Sequence, residues 1–136
     1  MSALYQIFVE SYLKQDANQV DLEADTIKAV LVDTADYTVD LAAHDFLDDI
    51  PGAARVATGT LASKSITARV FDAADLVLSA VSGDPSEAIV LYKDTGNEAT
   101  SRLIAYIDSA TGLPVTPNGG DLNIGWDNGA NKIFKL

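Results

Sequence analysis

The sequence contains no cysteine, and this absence excludes several kinds of chemistry at once. Without thiols the chain cannot form disulfides, hold zinc or iron–sulfur clusters through cysteine, or use a thiol nucleophile. We therefore expect a protein that folds in a reducing cytoplasm and persists in either redox environment.

Histidine is nearly absent, since His44 is the single example. One histidine cannot supply HExxH or a multi-histidine metal centre, and the GxSxG motif of serine hydrolases is missing. Asp45 follows His44 directly, and adjacent residues on a helix do not face each other. We expect His44 to be a partly buried polar residue, and we predict no catalytic residue, cofactor or metal ligand. Twenty acidic residues leave a carboxylate pair for glycoside hydrolysis open, but abundance does not identify one.

Basic residues are scarce: nine Lys and Arg stand against twenty Asp and Glu, giving a net charge of −11. Met1 to Pro51 carries 11 acidic and 2 basic residues, so most of the negative charge lies there. This balance disfavours direct nucleic-acid binding, which needs clustered Lys and Arg. It predicts either a solvated acidic face or a surface that meets a basic partner.

Long apolar runs are also missing, because no stretch approaches the roughly 20 residues that cross a bilayer. The first residues, MSALYQIFVESYLKQ, lack a basic region and carry Glu10 inside the apolar stretch. We expect neither a membrane span nor a signal peptide.

Two partial motifs lack residues that they require. Asp21, Glu23 and Asp25 open like an EF-hand loop, but Thr26 and Val32 stand where the loop needs Gly and Glu. A polar turn before a strand is the better interpretation, and a weak cation site of another shape stays open. Lys64-Ser65 resembles the end of a P-loop, but Ser63 and Thr58 replace its two glycines.

The first half of the chain predicts two helices and one buried strand. Leu4, Ile7, Phe8 and Tyr12 recur at helical spacing, with Ser2 as N-cap, so we predict a helix and arm over 1–18. The run DTIKAVLVDT predicts a strand buried on both faces. Asp40 can cap a short helix near 41–50, which Pro51-Gly52 closes.

We predict a single domain over 1–136 with its β-core over 26–136. After the short helix, this core consists of strands separated by turns. The predicted strands are RVATGTL, SITARVF, LVLSAV, EAIVLYKD, RLIAYID, DLNIGW and KIFKL. Short strands at this spacing favour a mainly β fold: an antiparallel β-sandwich or barrel-like domain with an N-terminal α-helix and one short additional helix.

Aromatic residues are interpreted first as core. Those within strands, Phe71, Tyr92, Tyr106 and Phe134, are predicted to pack in the core or on a sheet face. The helix aromatics Tyr5, Phe8 and Tyr12 leave two alternatives open, which are packing against the sheet and a contact with a neighbouring subunit or capsid.

The final stretch, DLNIGWDNGANKIFKL, predicts a C-terminal hairpin. Asn128-Gly129 is a strong turn signal, because both residues tolerate positive φ. The one tryptophan, Trp126, is expected to be a core or sheet-face residue, with a ligand platform as the alternative.

Much of the chain resembles small virion proteins encoded by tailed bacteriophages. The similarity rests on an aromatic-containing N-terminal helix and on DLEADTIKAVLVDTADYTVD, HDFLDDI, GTLASKSITARVFDAADLVLSAVSG, EAIVLYKDTGNEATSRLIAYID and LNIGWDNGANKIFKL. The strongest parts are the DTIKAVLV strand, the HDFLDDI helix and the hairpin that joins AIVLYKDTG to LIAYID.

The resemblance implies a non-enzymatic capsid decoration (cement) protein on the outer surface of the phage head. It implies the major capsid protein as partner, a homo-oligomer with a trimer favoured, and synthesis in the host cytoplasm. It brings no catalytic motif. The alternative is a tail, baseplate or fibre-associated module that contacts a host surface or glycan, with Trp126 and the Asp/Asn-rich loops as its support.

Overall fold

A computed structural model describes residues 2–136, with the side chains described from residue 3 onward. The fold is mainly β, with 34% strand and 13% helix, and all strand pairs are antiparallel. This confirms the predicted fold class. The strands are β1 (Ser2–Leu4), β2 (Ile27–Val32), β3 (Arg55–Thr60), β4 (Ser65–Thr67), β5 (Val70–Asp72), β6 (Leu76–Leu78), β7 (Ala88–Lys93), β8 (Leu103–Ile107), β9 (Leu122–Ile124) and β10 (Phe134–Lys135).

A five-stranded sheet in the order β1-β8-β7-β2-β3 forms the centre of the molecule. Strands β2, β7 and β8 are buried along almost their whole length, because both of their faces are covered. The predicted two-sided burial of DTIKAVLVDT is thus confirmed, as is the β7–β8 pairing. Two smaller sheets, β10-β5-β4 and β6-β9, complete the fold around one contiguous hydrophobic cluster.

The β6–β9 ribbon packs closely on the edge strand β3 at Gly59. A Cβ placed on Gly59 would lie 2.7 Å from Leu78 Cδ2 and 2.9 Å from Leu76 Cδ1. A side chain at this position would force Leu76 and Leu78 to shift, so Gly59 allows the ribbon to lie close to the central sheet.

The N-terminal helix, α1, spans Gln6–Lys14. Ser2 is therefore not its N-cap, contrary to the prediction; Tyr5 takes that position, without a side-chain cap. The preceding residues form β1 instead, because Ser2, Ala3 and Leu4 pair with Ile107, Tyr106 and Ala105 of β8. Tertiary pairing thus overrides the helical pattern over the first turn.

The segment predicted as a short helix near 41–50 is a turn followed by a single 3₁₀ turn, Leu47–Asp49. Asp40 does act as a cap, since its Oδ1 accepts from the N–H groups of Ala42 and Ala43, both at 3.0 Å. The helix does not continue because Phe46 forms a β-bridge with Arg102 at the start of β8.

The predicted strand SITARVF is two strands. Ala68 (φ 51°) and Arg69 (φ 68°) form a two-residue turn between β4 and β5, both in the left-handed region. Neither residue favours positive φ, so no local signal marks this turn. The hairpin brings Phe71 next to Phe134 of β10. This packing explains why the chain turns at Ala68 and Arg69.

The predicted C-terminal hairpin does not form. Strand β9 pairs with β6 and strand β10 pairs with β5, so the two final strands belong to different sheets. Asn128-Gly129 still lies in a local turn, in which Asp127 Oδ1 accepts from the Gly129 N–H. The turn signal is local, whereas the burial of Ile124 and Phe134 at separate places decides the pairing.

Candidate functional site

The surface carries a groove of about 930 Å³, called here the α1 groove. It lies between helix α1, the loop 15–25 and the small sheet β10-β5-β4. Its volume falls within the range of roughly 300–1,000 Å³ that is typical of ligand pockets. The lining residues are Phe8, Tyr12, Gln15, Asp16, Ala17, Gln19, Val20, Asp21, Leu22, Asp25, Ile66, Arg69, Phe71, Lys93, Phe134 and Leu136.

Three phenylalanines form the floor of the α1 groove. Phe134 contacts Phe8 edge-on with ring centroids 6.4 Å apart, and Phe71 with centroids 5.3 Å apart. All three side chains are buried. They come from α1, β5 and β10, so this aromatic cluster joins the helix to the small sheet.

Apolar side chains also stand exposed along the groove. Tyr12 is 51% exposed, Ile66 44% and Leu136 45%, and Leu13 beside Tyr12 is 74% exposed. Single exposed apolar residues are common on protein surfaces, but a cluster of them around a concavity is typical of an interaction site.

The loop 15–25 forms an acidic wall whose carboxylates also shape the loop. Asp16 Oδ1 accepts from Ser11 Oγ at 2.6 Å, and this bond lowers the pKa of Asp16. Asp21 Oδ1 accepts from the N–H groups of Ala24 and Glu23, at 2.9 and 3.0 Å, and these bonds lower the pKa of Asp21. The loop is a polar turn before β2, as the sequence predicted.

Two lysine side chains and one backbone N–H from neighbouring segments hold this wall in place. Lys93 of β7 pairs with Asp25 at 3.1 Å and donates to the Gln19 carbonyl at 3.0 Å. Lys64 donates to the Asp25 carbonyl. On the opposite side, Glu23 Oε1 accepts from the Ile66 N–H at 2.7 Å. The wall is thus held to the sheets by polar contacts, while the floor is held by apolar ones.

Behind the acidic wall lies a buried arginine, Arg102, which is only 4% exposed. Its guanidinium stacks on the Phe46 ring at 4.2 Å, and the nearest carboxylates are Asp16 at 3.8 Å and Asp45 at 3.9 Å. Nε and Nη1 are buried without a hydrogen-bond partner among residues 2–136. The ring and the two flanking carboxylates compensate the buried charge, since burial without partners is costly.

The structure places the three candidate interface residues in different environments. Tyr5 and Phe8 are 0% and 2% exposed and pack inside the subunit, whereas Tyr12 faces the groove and solvent. Of the two alternatives for the helix aromatics, core packing applies to Tyr5 and Phe8. A subunit or capsid contact stays a prediction, and only Tyr12 offers it an exposed ring.

Tyr5 belongs to a buried hydrogen-bonded chain that fixes the start of α1. Its hydroxyl shares a 2.8 Å bond with the Tyr37 hydroxyl, which lies 2.9 Å from His44 Nδ1. Burial raises the pKa of Tyr5, and burial likewise raises the pKa of Tyr37 to about 12. His44 is half-buried and stacked on Tyr37, as its predicted role as a partly buried polar residue requires.

Trp126 is a core residue, as expected from the sequence. It is 4% exposed, its indole N–H donates to the Ala74 carbonyl at 3.0 Å, and its backbone N–H donates to Asp75 Oδ1 at 3.0 Å. The strand aromatics Phe71, Tyr92, Tyr106 and Phe134 are buried as well. Trp126 therefore presents no ring face on which a sugar could stack.

Sequence reasoning missed one acidic cluster outside the groove. Carboxylate oxygens of Asp33, Asp36 and Asp84 lie within 4.8 Å of one another, and Asp33 is buried. Asp33 Oδ1 accepts from the Ala35 N–H at 2.8 Å, so it closes the turn after β2. The wide sequence separation of Asp84 left no signal for this grouping.

Comparison with known proteins gives no match, either to a protein-family model or to a curated protein. Among residues 2–136, no helix has the length and apolar character to cross a membrane.

Proposed function

We propose that this chain is a non-enzymatic structural protein of a tailed-phage virion, and that it acts as a capsid decoration (cement) protein. In this role it binds the outer surface of the head, contacts the major capsid protein and forms a homo-oligomer, with a trimer favoured. The resemblance to small phage virion proteins, which extends over most of the chain, is the starting point.

The observation that carries the proposal is the set of exposed apolar side chains around the α1 groove, Tyr12, Ile66 and Leu136. They stand out because the apolar side chains of the central sheet are buried. A cement protein has to present a preformed surface, because ordering a flexible surface on binding costs free energy. The floor of three packed phenylalanines gives the groove that preformed character. Many weak contacts repeated around a particle add up through multivalency.

The test uses phage heads assembled without this protein. Purified chain is added to them, bound protein is measured after sedimentation of the particles, and the heat resistance of the heads is followed. We expect saturable uptake and a higher temperature of head disruption. Heads that neither take up the protein nor differ in heat resistance from complete particles would contradict the proposal.

A matched pair of variants connects the binding to the groove. Ile66→Ser changes an exposed strand residue in the α1 groove, and Val77→Ser changes an exposed strand residue on the β6–β9 ribbon. We expect reduced uptake for Ile66→Ser and normal uptake for Val77→Ser. Equal loss in both would mean that the groove is not the contact surface.

The tail or fibre alternative loses one of its supports, because Trp126 is buried. Imaging of the labelled protein in intact particles separates the two roles: a shell of label around the head favours decoration, and a single site at the tail favours the alternative. A glycan array tests the host-binding version directly.

A further inference from the structure

The α1 groove combines an apolar floor with one wall of strongly biased charge. Residues 15–25 contain four carboxylates, those of Asp16, Asp21, Glu23 and Asp25, and no Lys or Arg. Asp16, Asp21 and Asp25 line the groove, whereas Glu23 lies next to the lining residue Ile66, from whose N–H it accepts. Two lysines reach this wall, Lys93 from β7 and Lys64, the residue before β4, and both make contacts within the subunit. Lys93 pairs with Asp25, and Lys64 donates to the Asp25 carbonyl.

Among residues 2–136, two of the wall carboxylates, Asp21 and Glu23, form no ion pair, although Lys64 and Lys93 are close enough for their charges to act on Asp21. Both residues are exposed, and both carboxylates already accept backbone N–H groups that hold them in place. They are thus fixed negative charges beside the groove, and the net charge of −11 adds to their field.

Across the groove, Arg69 lies at the tip of the β4–β5 hairpin and is part of the lining. Its side chain is exposed and makes no ion pair within the described part of the chain. Arg69 lies next to Leu136, whose N–H donates to the Arg69 carbonyl at 3.0 Å. A uniformly basic ligand would be repelled at this tip, whereas one basic residue directed towards the loop wall would not.

We propose that the α1 groove binds a short segment of a partner protein that carries apolar side chains beside a lysine or arginine. The apolar side chains pack between Tyr12 and Ile66 over the phenylalanine floor, and the basic side chain contacts Asp21 and Glu23. This inference rests on the proposed binding role of the groove, but it specifies the chemistry of the partner and is tested without virions.

The test uses the full chain and two synthetic seven-residue peptides with blocked ends. Both peptides alternate Leu with polar residues; one carries two Lys and the other two Glu at the same positions. Binding is followed by changes in backbone amide NMR signals. We expect the Lys peptide to shift signals of Tyr12, Ile66 and Phe134, and to bind about fivefold more tightly than the Glu peptide at low salt.

Raising the salt to about 0.5 M should bring the two affinities together, because exposed charge pairs are screened. Equal affinities at low salt, signal changes outside the groove or no binding of the Lys peptide would each overturn the proposal. So would concentration-dependent self-association that shifts the same signals, since a second copy would then be the occupant. Failure here with normal head binding would leave the decoration role standing.

Conservative variants keep the fold while removing the charge. Asp21→Asn and Glu23→Gln retain the oxygen acceptors for the loop N–H groups, so the wall should stay in place. Together they should remove most of the preference for the Lys peptide. Asp40→Asn is the matched control, because Asp40 caps two N–H groups in the same way outside the groove. An equal loss of preference in that control would contradict the assignment.

Discussion

The central sheet and the α1 groove use apolar side chains in opposite ways. In β2, β7 and β8 nearly every residue is buried, including Leu91 and Ile104 at 0% exposure. Around the groove, Tyr12, Ile66 and Leu136 stay about half exposed although a buried aromatic floor lies directly beneath them. The sheet removes apolar surface from water, whereas the groove presents it.

This difference implies that stability and binding can be separated by mutation. Burial contributes roughly 25 cal/mol per Å² of apolar surface, so the side chains of the central sheet carry most of the folding free energy. Half-exposed side chains contribute less to folding and are free to lose further contact with water when a partner binds. The following predictions test this separation, beginning with the largest effect.

The largest effect is expected in the central sheet. Ile104→Ala should lower the free energy of unfolding by about 3–4 kcal/mol. The substitution leaves a cavity in a fully buried strand, whose neighbours cannot move in to fill it. Guanidinium denaturation measures the change, and Ile104→Val, at about 1 kcal/mol, is the control. Equal costs for the two variants would show that β8 repacks freely.

Arg102 should act by packing more than by charge. Arg102→Ala should cost about 2–3 kcal/mol, because it leaves a cavity beside Phe46. Arg102→Met fills much of that space without a buried charge and should recover most of the loss. Urea denaturation of both variants gives the comparison. Equal costs for the two variants would mean that the ion pairs with Asp16 and Asp45 dominate, because both variants remove them.

Alkaline pH should weaken the junction between α1 and the 37–44 loop. Burial raises the pKa of Tyr37 to about 12 from 10.0, so its neutral form stabilises the fold fully below pH 10. That contribution, on the order of 3 kcal/mol, should be lost as the pH rises from about 10 to about 12. Absorbance at alkaline pH follows tyrosinate formation, and Tyr37→Phe should make the stability profile less steep in that window, where Tyr5, whose pKa is also raised by burial, still contributes.

Two ion pairs repeat the comparison at smaller energies. Lys28–Asp94, at 2.9 Å and partly buried beside the central sheet, should contribute about 0.5–1 kcal/mol. Glu10–Lys14 on α1, at 3.3 Å and largely exposed, should contribute at most about 0.5 kcal/mol. Double-mutant cycles measure both.

The hydrogen bond from Lys28 lowers the pKa of Asp94 below 3.8. The ion pair therefore stabilises the fold above about pH 3.8, and this contribution is lost as the pH falls and Asp94 becomes protonated. If Asp94→Asn left the acid sensitivity of the fold unchanged, this linkage would be wrong.

The smallest effect on stability is expected at the groove. Tyr12→Ser should change the free energy of unfolding by less than about 0.5 kcal/mol, because half of the ring is already in water. The same variant should reduce uptake by phage heads. A large loss of stability would place Tyr12 in the core instead of on a binding surface.

The elements of the central sheet were predictable because their signal is local and strong. Buried runs such as IKAVLV and AIVLYK are long enough to identify strands. Strands β7 and β8 are consecutive in the sequence, and the connection 94–102 between them, which contains the 3₁₀ turn Glu98–Thr100, is short enough to favour their pairing. Trp126 was likewise placed correctly, since a lone aromatic between strand residues usually packs in the core.

The groove was not predictable, because none of its geometry is local. Ala68 and Arg69 adopt positive φ against their own preferences, so the β4–β5 turn has no sequence signature. Asn128-Gly129 has such a signature, but the strands on either side belong to different sheets. The charge pattern was partly informative. The acidic residues before β2 are evident in the sequence, but their position beside a groove is evident only in the structure.

The aromatic floor also has a consequence for folding kinetics. Phe8 and Phe134 lie near the two ends of the sequence, so their contact closes a longer loop than any strand pair of the central sheet. Contacts of this kind form after the local β7–β8 hairpin in a folding reaction. The groove should therefore assemble last and open first, and hydrogen exchange should detect its opening well below the global unfolding free energy. Backbone amides around the groove would then exchange faster than those of the central sheet, because the groove unfolds locally while the sheet stays intact.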